Sequence, residues 1–391
     1  MTYTATKVGN YTLTVSDKAG KYADLTASFT LTTEDMPAAY NGDYDSPALV
    51  VAEGYSADDL SAYIKNITSV SVDGKEYAAS GRGAVVIVKE DGTIDMSTAP
   101  FKDAKDSYDI VVKATGYADS SFTIQKVYNI ENMDIELSKE KYTYAGKALT
   151  PYVKVTNGDT VLKKSVDYKV TYKNNVQPGV ATVTIKGTGN YQGTVTKKFN
   201  IYPTKPVISG IGKVDKGLKL KWTEVVGASG YEIYRSKNDG EYSKVKTITS
   251  GSTVEWADTT ANTNGAKYSY KILAYTKSES TTLKSKQSAA KATYKVKTPI
   301  ITSLTSSAKK QMTVKWQKNT QATYYEIQYS INSNFSSAKT VKVTGANNIS
   351  KVIYNLTAGK KYYVRVRGCK TVNGANYCSP WSAQKNVTIK K

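Results

Sequence analysis

Three landmarks in the second half of the chain recur at one spacing, and that spacing limits the fold more than any other feature. Leu218-Lys-Leu-Lys-Trp222 returns as Met312-Thr-Val-Lys-Trp316, and Gly230-Tyr-Glu-Ile-Tyr234 as Tyr324-Tyr-Glu-Ile-Gln328. Tyr268-Ser-Tyr-Lys-Ile272 returns as Tyr362-Tyr-Val-Arg-Val366. Trp222 to Trp316, Tyr231 to Tyr325 and Tyr268 to Tyr362 are each 94 residues apart. Coincident offsets of this kind mean two copies of one unit, here 204–298 and 299–391. Within each unit, short runs of alternating apolar and polar residues are separated by Gly, Asn and Asp, which is strand periodicity and not helical periodicity.

The same punctuation continues upstream. The alternation of Tyr11, Leu13 and Val15, the turn at Asp17-Lys-Ala-Gly20 and the run 25–31 predict a hairpin. One helix is expected over 56–64, where Ser56 can cap and Asp58 and Asp59 suit the N-terminus. Further hairpins are expected at the turn Asp73-Gly74 and between Val85-Val-Ile-Val88 and the residues after Asp91-Gly92. The 32 tyrosines against 5 phenylalanines and 4 tryptophans fit half-buried pleated surfaces. We therefore expect an all-β chain of tandem β-sandwiches, with one short helix in the segment 40–126.

These assignments carry family resemblances. A tryptophan on an early strand followed by a Tyr-x-x-x-Ile/Val strand resembles fibronectin type III in both copies. There Trp222 and Trp316 would pack the core, and Tyr268 and Tyr362 would form tyrosine corners. Asn262 stands where the second copy has Leu356, which departs from the corner's usual apolar support. Segment 127–203 carries Tyr142-Thr-Tyr-Ala-Gly-Lys-Ala-Leu-Thr-Pro151, Asp167-Tyr-Lys-Val-Thr-Tyr-Lys-Asn-Asn175, Gly179-Val-Ala-Thr-Val-Thr-Ile185 and Gly189-Asn-Tyr-Gln-Gly193. It resembles the bacterial immunoglobulin-like repeats of Gram-positive gut-anaerobe surface proteins. Segment 40–126 carries Val72-Asp-Gly-Lys-Glu-Tyr77 and Lys113-Ala-Thr-Gly-Tyr117. That pair resembles the haemoglobin-interacting repeat of streptococcal haem-uptake surface proteins, and the resemblance implies a protein ligand. Residues 1–33 read as the last strands of a truncated immunoglobulin-like domain, so the chain is expected to be a fragment of a longer protein.

Composition removes whole classes of chemistry. With no histidine, Ser-His-Asp and Cys-His nucleophiles and His-based metal sites are excluded, and two cysteines cannot make a zinc cluster. For haem iron only Met96 and the tyrosines would remain. Asp43/Asp45, Asp58/Asp59, Asp91/Asp95 and Asp103/Asp106 pair up without EF-hand spacing, so they read as solvated turns, with adventitious calcium the alternative. We expect no catalytic residue, cofactor or metal, and no enzyme activity. No run approaches the roughly 18 apolar residues of a membrane span. Met1-Thr-Tyr-Thr-Ala-Thr-Lys contains no signal-peptide core.

Charge separates the segments. Basic minus acidic residues come to −7 in 1–126, +5 in 127–203, +9 in 204–298 and +14 in 299–391, for a total of +21. A positive field of this size attracts polyanions in general. Without an Arg-rich helix, zinc finger or RNA-recognition signature, nucleic acid is not expected. The candidate partners are a cell-wall polyanion, a glycan or a host surface protein, bound by a chain expected to be monomeric within its longer protein.

Two constellations lie near the end of the chain. Cys369 and Cys378 flank Asn373-Gly374, a strong type I′ hairpin signal. Centring the turn there puts 369 and 378 opposite each other in a non-hydrogen-bonded pair, the closest kind, within reach of a disulfide; the alternative is a reduced pair. A disulfide suits an oxidising compartment. Ser379-Pro-Trp-Ser382 resembles half of the Trp-Ser box of cytokine-receptor fibronectin domains, in which arginines stack on the tryptophan. Arg365 and Arg367 alternate on the preceding strand and would supply that cation–π contact to Trp381. Strict pairing places Trp381 opposite Val366 on the inner face, whereas a bulge at Pro380 would turn it outward; the sequence leaves both open. The expected function is that of a non-catalytic extracellular fragment, at the cell surface or wall of a bacterium, acting as adhesion or spacer modules. The alternative is an accessory, polysaccharide- or wall-binding region of a secreted hydrolase whose catalytic domain lies elsewhere.

Overall fold

Alternation along the chain becomes antiparallel strands almost everywhere in the computed structural model, which describes residues 9–279 and 281–391. The molecule divides into two units. One takes the residues up to Asp134 with Val155–Val170 and Ile185–Val195; the other takes Ile135–Lys154, Thr171–Thr184 and Thr196–Lys391. The 127–203 segment thus contributes residues to both.

In the first unit, Gly9–Val15 pairs with Leu25–Leu31 as a hairpin. Its turn is held by Asp17, whose carboxylate accepts the N–H groups of Ala19, Lys21 and Tyr22. Tyr11, Leu13 and Val15 stand opposite Phe29, Ala27 and Leu25, which gives the hairpin one apolar face. Leu25 is 71% exposed and Val15 60%, so that face is unlike a core. Residues 1–8 of this expected segment lie outside the described residues.

The acidic segment that follows is built on a four-stranded antiparallel sheet. Its order is Lys75–Ala78, Ile67–Val72, Ser107–Ala114, Ser120–Gln125. The strand Ser107–Ala114 alternates cleanly: Tyr108, Ile110, Val112 and Ala114 are buried, and the residues between them are not. Helix Ala57–Lys65 begins in a capping box, with the Asp59 N–H donating to Ser56 Oγ and the Ser56 N–H donating to the Asp59 carboxylate. It buries Tyr63 and Ile64 in the same core. The hairpin expected over 85–92 is not formed as two strands. It is reduced to the isolated antiparallel bridge Val88↔Ile94, flanked by the Lys89 N–H on Thr93 O and the Asp95 N–H on Ile87 O, with the turn closed by the Gly92 N–H on Lys89 O. Ile87, Val88 and Ile94 are all buried, so packing against the sheet takes the place of a regular ladder.

In the second unit, Lys141–Thr143 runs parallel to the end of Thr194–Tyr202, over a core of Ala181, Phe199 and Ile201. The two 94-residue copies then repeat one topology. In the first, Ile208–Lys213, Leu218–Trp222 and Glu255–Asp258 form one sheet. Ser243–Ile248, Gly230–Lys237, Lys267–Ser278 and Thr281–Lys284 form the other, with Lys291–Tyr294 beside the start of Lys267–Ser278. The second copy repeats this with Ile301–Thr305, Met312–Trp316 and Ser350–Ile353 facing Lys339–Thr344, Tyr324–Ser330, Lys361–Val372, Ala375–Cys378 and Lys385–Thr388. Both have the two-sheet strand order of a fibronectin type III-like β-sandwich.

Trp222 and Trp316 lie between the sheets, 3% and 1% exposed, each edge-on to a buried tyrosine, Tyr231 or Tyr325. The tyrosine hydroxyls bind backbone across the end of the sandwich. Tyr231 accepts from the Val225 N–H and donates to Gly251 O; Tyr325 accepts from the Asn319 N–H and donates to Ala346 O. Tyr268 accepts from the Thr263 N–H at 3.2 Å and Tyr362 from the Thr357 N–H at 3.3 Å. Leu356 is buried under the second corner, whereas in the first Asn262 has a buried side-chain oxygen with no partner among the described residues.

The copies meet through specific contacts. Asn264 Nδ2 donates to Asn319 Oδ1, Asn319 Nδ2 donates to Lys297 O, and Tyr294 and Tyr377 have ring centroids 5.0 Å apart. Gly265 adopts φ +78° at this junction, a left-handed conformation that favours glycine.

Candidate functional site

The site is built on the hairpin Lys361–Val372/Ala375–Cys378. Asn373 and Gly374 at φ 49° and 77° make the two-residue turn, and the register runs Val372↔Ala375, Thr371↔Asn376, Lys370↔Tyr377 and Cys369↔Cys378. Cys369 and Cys378 are disulfide-bonded, with Cα atoms 3.9 Å apart. Non-reducing mass spectrometry of the protein from an oxidising compartment is expected to find this bridge. Reducing it should cost no more than about 2–3 kcal/mol, because the loop it closes is short; unfolding of the second copy on reduction would contradict this.

Beyond Cys378 the ladder breaks in a defined way. The Ser379 N–H donates to Gly368 O and the Ser382 N–H to Val366 O, so three steps along one strand oppose two along the other. The hydroxyls of Ser379 and Ser382 accept the Gly368 and Val366 N–H groups at 3.2 and 3.0 Å. This is a bulge. It decides the face left open by the sequence, because Ser382 and not Trp381 stands opposite Val366, and Trp381 turns out over the arginines. The centre of its ring is 5.0 Å from Arg365 Cζ and 4.4 Å from Arg367 Cζ. The ring of Phe335 adds a further contact, 4.0 Å from Arg365 Cζ.

Phe335 was not anticipated. It sits in the loop before Lys339–Thr344 at φ +60°, a left-handed conformation that strains a bulky side chain on the order of 1–3 kcal/mol. The loop is held by the Phe335 N–H on Asn332 O, by Ser330 Oγ on Ser336 O and by Asn332 Nδ2 on Ser336 Oγ. Nothing in a Ser-Asn-Phe-Ser string marks a ring that will cover an arginine.

The first copy shows what is added here. Ser285 and Ser288 precede Ser379 and Ser382 by the same 94 residues, and their hydroxyls accept the Ala274 and Ile272 N–H groups, each at 3.0 Å. The bulge is therefore common to both copies, but Lys271, Leu273 and Gln287 occupy the places of Arg365, Arg367 and Trp381. The electrostatics differ too. In the first copy buried Glu232 binds Lys244 and Lys284 and accepts the Tyr234 hydroxyl, so two cations are compensated. Burial alone would raise the Glu232 pKa, but these hydrogen bonds and charges lower it. In the second copy, Glu326, the single acid of 299–391, binds Arg367 at 2.6 and 2.7 Å. Arg365 Nε donates to neutral Gln328 Oε1 at 2.7 Å, and among the described residues Arg365 has no carboxylate partner. Burial, and then Arg367, hold its pKa below the usual guanidinium value.

Positive charge accumulates around this face. Lys213 is pushed down to about 8 by burial and by Arg367 and Lys295, and its Nζ lies 5.5 Å from the Tyr377 ring centre. Lys342 covers Tyr324 at 4.2 Å. A second basic surface of the same unit is an open cleft of about 650 Å³ whose lining includes Lys141, Tyr142, Tyr202, Lys205, Lys284 and Lys286.

At least one carboxylate of each pair in the acidic segment is occupied locally. Asp43 accepts the Asp45 and Ser46 N–H groups, Asp59 caps its helix, and Asp91 accepts the Thr93 N–H. Asp95 binds Ser97 and Lys89, and Asp106 accepts the Tyr128 hydroxyl. Met96 packs against the core. Among the described residues, one cluster has metal-ligand types in reach of each other: Glu326, Cys369 and Cys378. Its sulfurs are bonded to each other and its carboxylate to Arg367.

Comparisons with known proteins divide along the chain. Residues 43–128 match the family described as heme-binding protein Shr-like, Hb-interacting domain. An amylopullulanase of Thermoanaerobacterium saccharolyticum is 48% identical over 67 residues, which is 17% of this chain and 5% of that protein. The chain thus spans a small fraction of that relative's length. Among solved structures, the FN1–FN3 domains of chicken CNTN1 align with 66% of this chain and 98% of their own, at 16% identity and a TM-score of 0.29. A two-domain fibronectin type III segment of chicken tenascin aligns with 48% and 98%, at 16% identity and a TM-score of 0.26. No helix is long and apolar enough to cross a membrane among the described residues.

Proposed function

We propose that this chain is a non-catalytic, extracellular string of β-sandwich modules that holds its protein on a polyanionic surface, such as a bacterial wall polymer or an acidic glycan. The observation that carries this reading is the charge of the second fibronectin copy. It has 15 basic residues against Glu326 alone, and that carboxylate is already spent on Arg367. Contacts between many exposed cations and a polyanion are individually weak and are screened beyond about 8 Å at physiological salt. The disulfide supports an oxidising, extracellular setting. The acidic 43–128 domain would repel the same surface, and its family match supports a protein ligand for it.

The amylopullulanase similarity favours a second reading, an accessory region of a secreted polysaccharide hydrolase. Retention of the full chain on an immobilised sulfated glycan and on an immobilised neutral polysaccharide separates the two. We expect strong retention on the anionic matrix at 50 mM salt, lost by 500 mM, and none on the neutral one. Salt-independent retention on the neutral matrix would overturn the polyanion reading in favour of the accessory one.

A further inference from the structure

We propose that Arg365 is a specific oxyanion-recognition site, taking a single sulfate, phosphate or carboxylate group of an acidic polymer through its terminal guanidinium nitrogens. The inference rests on the polyanion reading above and gives it a location. Four observations meet at this side chain. Its Cζ lies 4.0 Å from the Phe335 ring centre and 5.0 Å from that of Trp381, so two rings restrict the plane of the guanidinium. Gln328 takes Nε, which leaves Nη1 and Nη2 without a partner among the described residues. Among the described residues no carboxylate compensates it, although Arg367, one step along the same face, has Glu326 at 2.6 Å. Phe335 is held at φ +60° to reach it, and strained backbone of this kind persists where surrounding structure fixes it.

A guanidinium so placed is pre-organised. Its planar fork matches the two oxygens of a carboxylate, sulfate or phosphate, and the ordering that binding would otherwise require is already made. Lysine cannot replace it, because an ammonium has neither the plane that stacks nor the fork. The first copy offers a comparison, for Lys271 occupies the matching position and lies 4.3 Å from the Tyr242 ring centre. The site is therefore assigned to the second copy alone.

The test uses the full chain and three probes of different origin: heparin for sulfate, polygalacturonate for carboxylate and poly(glycerol phosphate) for phosphate. Arg365→Gln, Arg365→Lys, Phe335→Ala and, as a charge control, Lys351→Gln are compared at fixed salt. Lys351 is exposed on the opposite sheet of the same copy. We expect Arg365→Gln and Arg365→Lys each to weaken binding of the preferred probe about tenfold, Phe335→Ala about threefold, and Lys351→Gln less than twofold. The charge-conserving lysine variant keeps the test valid if the glutamine variant folds poorly. Equal losses for Arg365→Gln and Lys351→Gln, or full retention by Arg365→Lys, would overturn the site while leaving the polyanion reading standing. Failure of the unmodified chain to bind any probe at low salt would overturn both.

Discussion

Replacing Trp316 by alanine is expected to destabilise the second fibronectin copy by about 3–5 kcal/mol, the usual cost of emptying a large aromatic site from a packed core. Trp316 is 1% exposed and packs edge-on to Tyr325, its ring centre 5.3 Å away, in a cluster that includes Val314, Ile327, Val364 and Val366. Tyr325 would lose its partner while still binding Asn319 and Ala346, so the sheets could not simply close over the gap. Trp222 in the first copy keeps its own core and supplies the internal control. In denaturant, the transition of the second copy should move to lower concentration while that of the first stays in place. A shift below about 1 kcal/mol would mean that Trp316 is not the centre of this core.

The second large effect is expected at Asp258, the buried acid of the first copy. Its carboxylate is 1% exposed, lies 2.7 Å from Arg235 Nη1, and accepts the hydroxyls of Tyr270 at 2.8 Å and Thr260 at 2.7 Å. Burial alone would raise its pKa, but the hydrogen bonds from Thr260, Arg235 and Tyr270 outweigh it and hold the carboxyl below the ordinary value. Asp258→Ala would strand the Arg235 charge and the Tyr270 hydroxyl, and such breakage costs about 3–5 kcal/mol. The pH dependence has a definite sign. A lowered folded-state pKa contributes stability above the unfolded value, about 3.9, and that contribution is lost as pH falls through the lower folded value. Val352 stands at the matching position of the second copy, so acid unfolding should reach the first copy through Asp258 and the second by other groups. Unchanged acid sensitivity of the first copy in Asp258→Ala would contradict this.

Strand periodicity and the 94-residue offset make the sandwiches legible in the sequence, because strands such as Leu218–Trp222 and Met312–Trp316 bury apolar residues at alternate positions. Ser56 with Asp59 similarly marks the helix start. Regularity is where such reading stops. The hairpin expected around Asp91-Gly92 forms as a short bridge and not as regular strands, and Ile87 and Ile94 are buried by tertiary packing that local pattern does not encode. The outward turn of Trp381 depends on one extra residue, which the sequence left undecided. A fourth landmark at the same offset, Ser285 and Ser288 against Ser379 and Ser382, was available to decide it. Seryl hydroxyls that accept strand N–H groups read like any polar loop until the copies are aligned. Phe335 had no such signal, because its place over Arg365 depends on a left-handed backbone in a loop.

On the reading proposed above, surface affinity lies in the basic second copy. The most direct measurement is hydrogen exchange of the full chain, resolved by peptide, with and without heparin at low salt. Protection is predicted in the peptides holding Phe335, Arg365 and Trp381 and in no peptide of residues 43–128. Protection confined to 43–128, or none in 299–391 when heparin is bound, would contradict it.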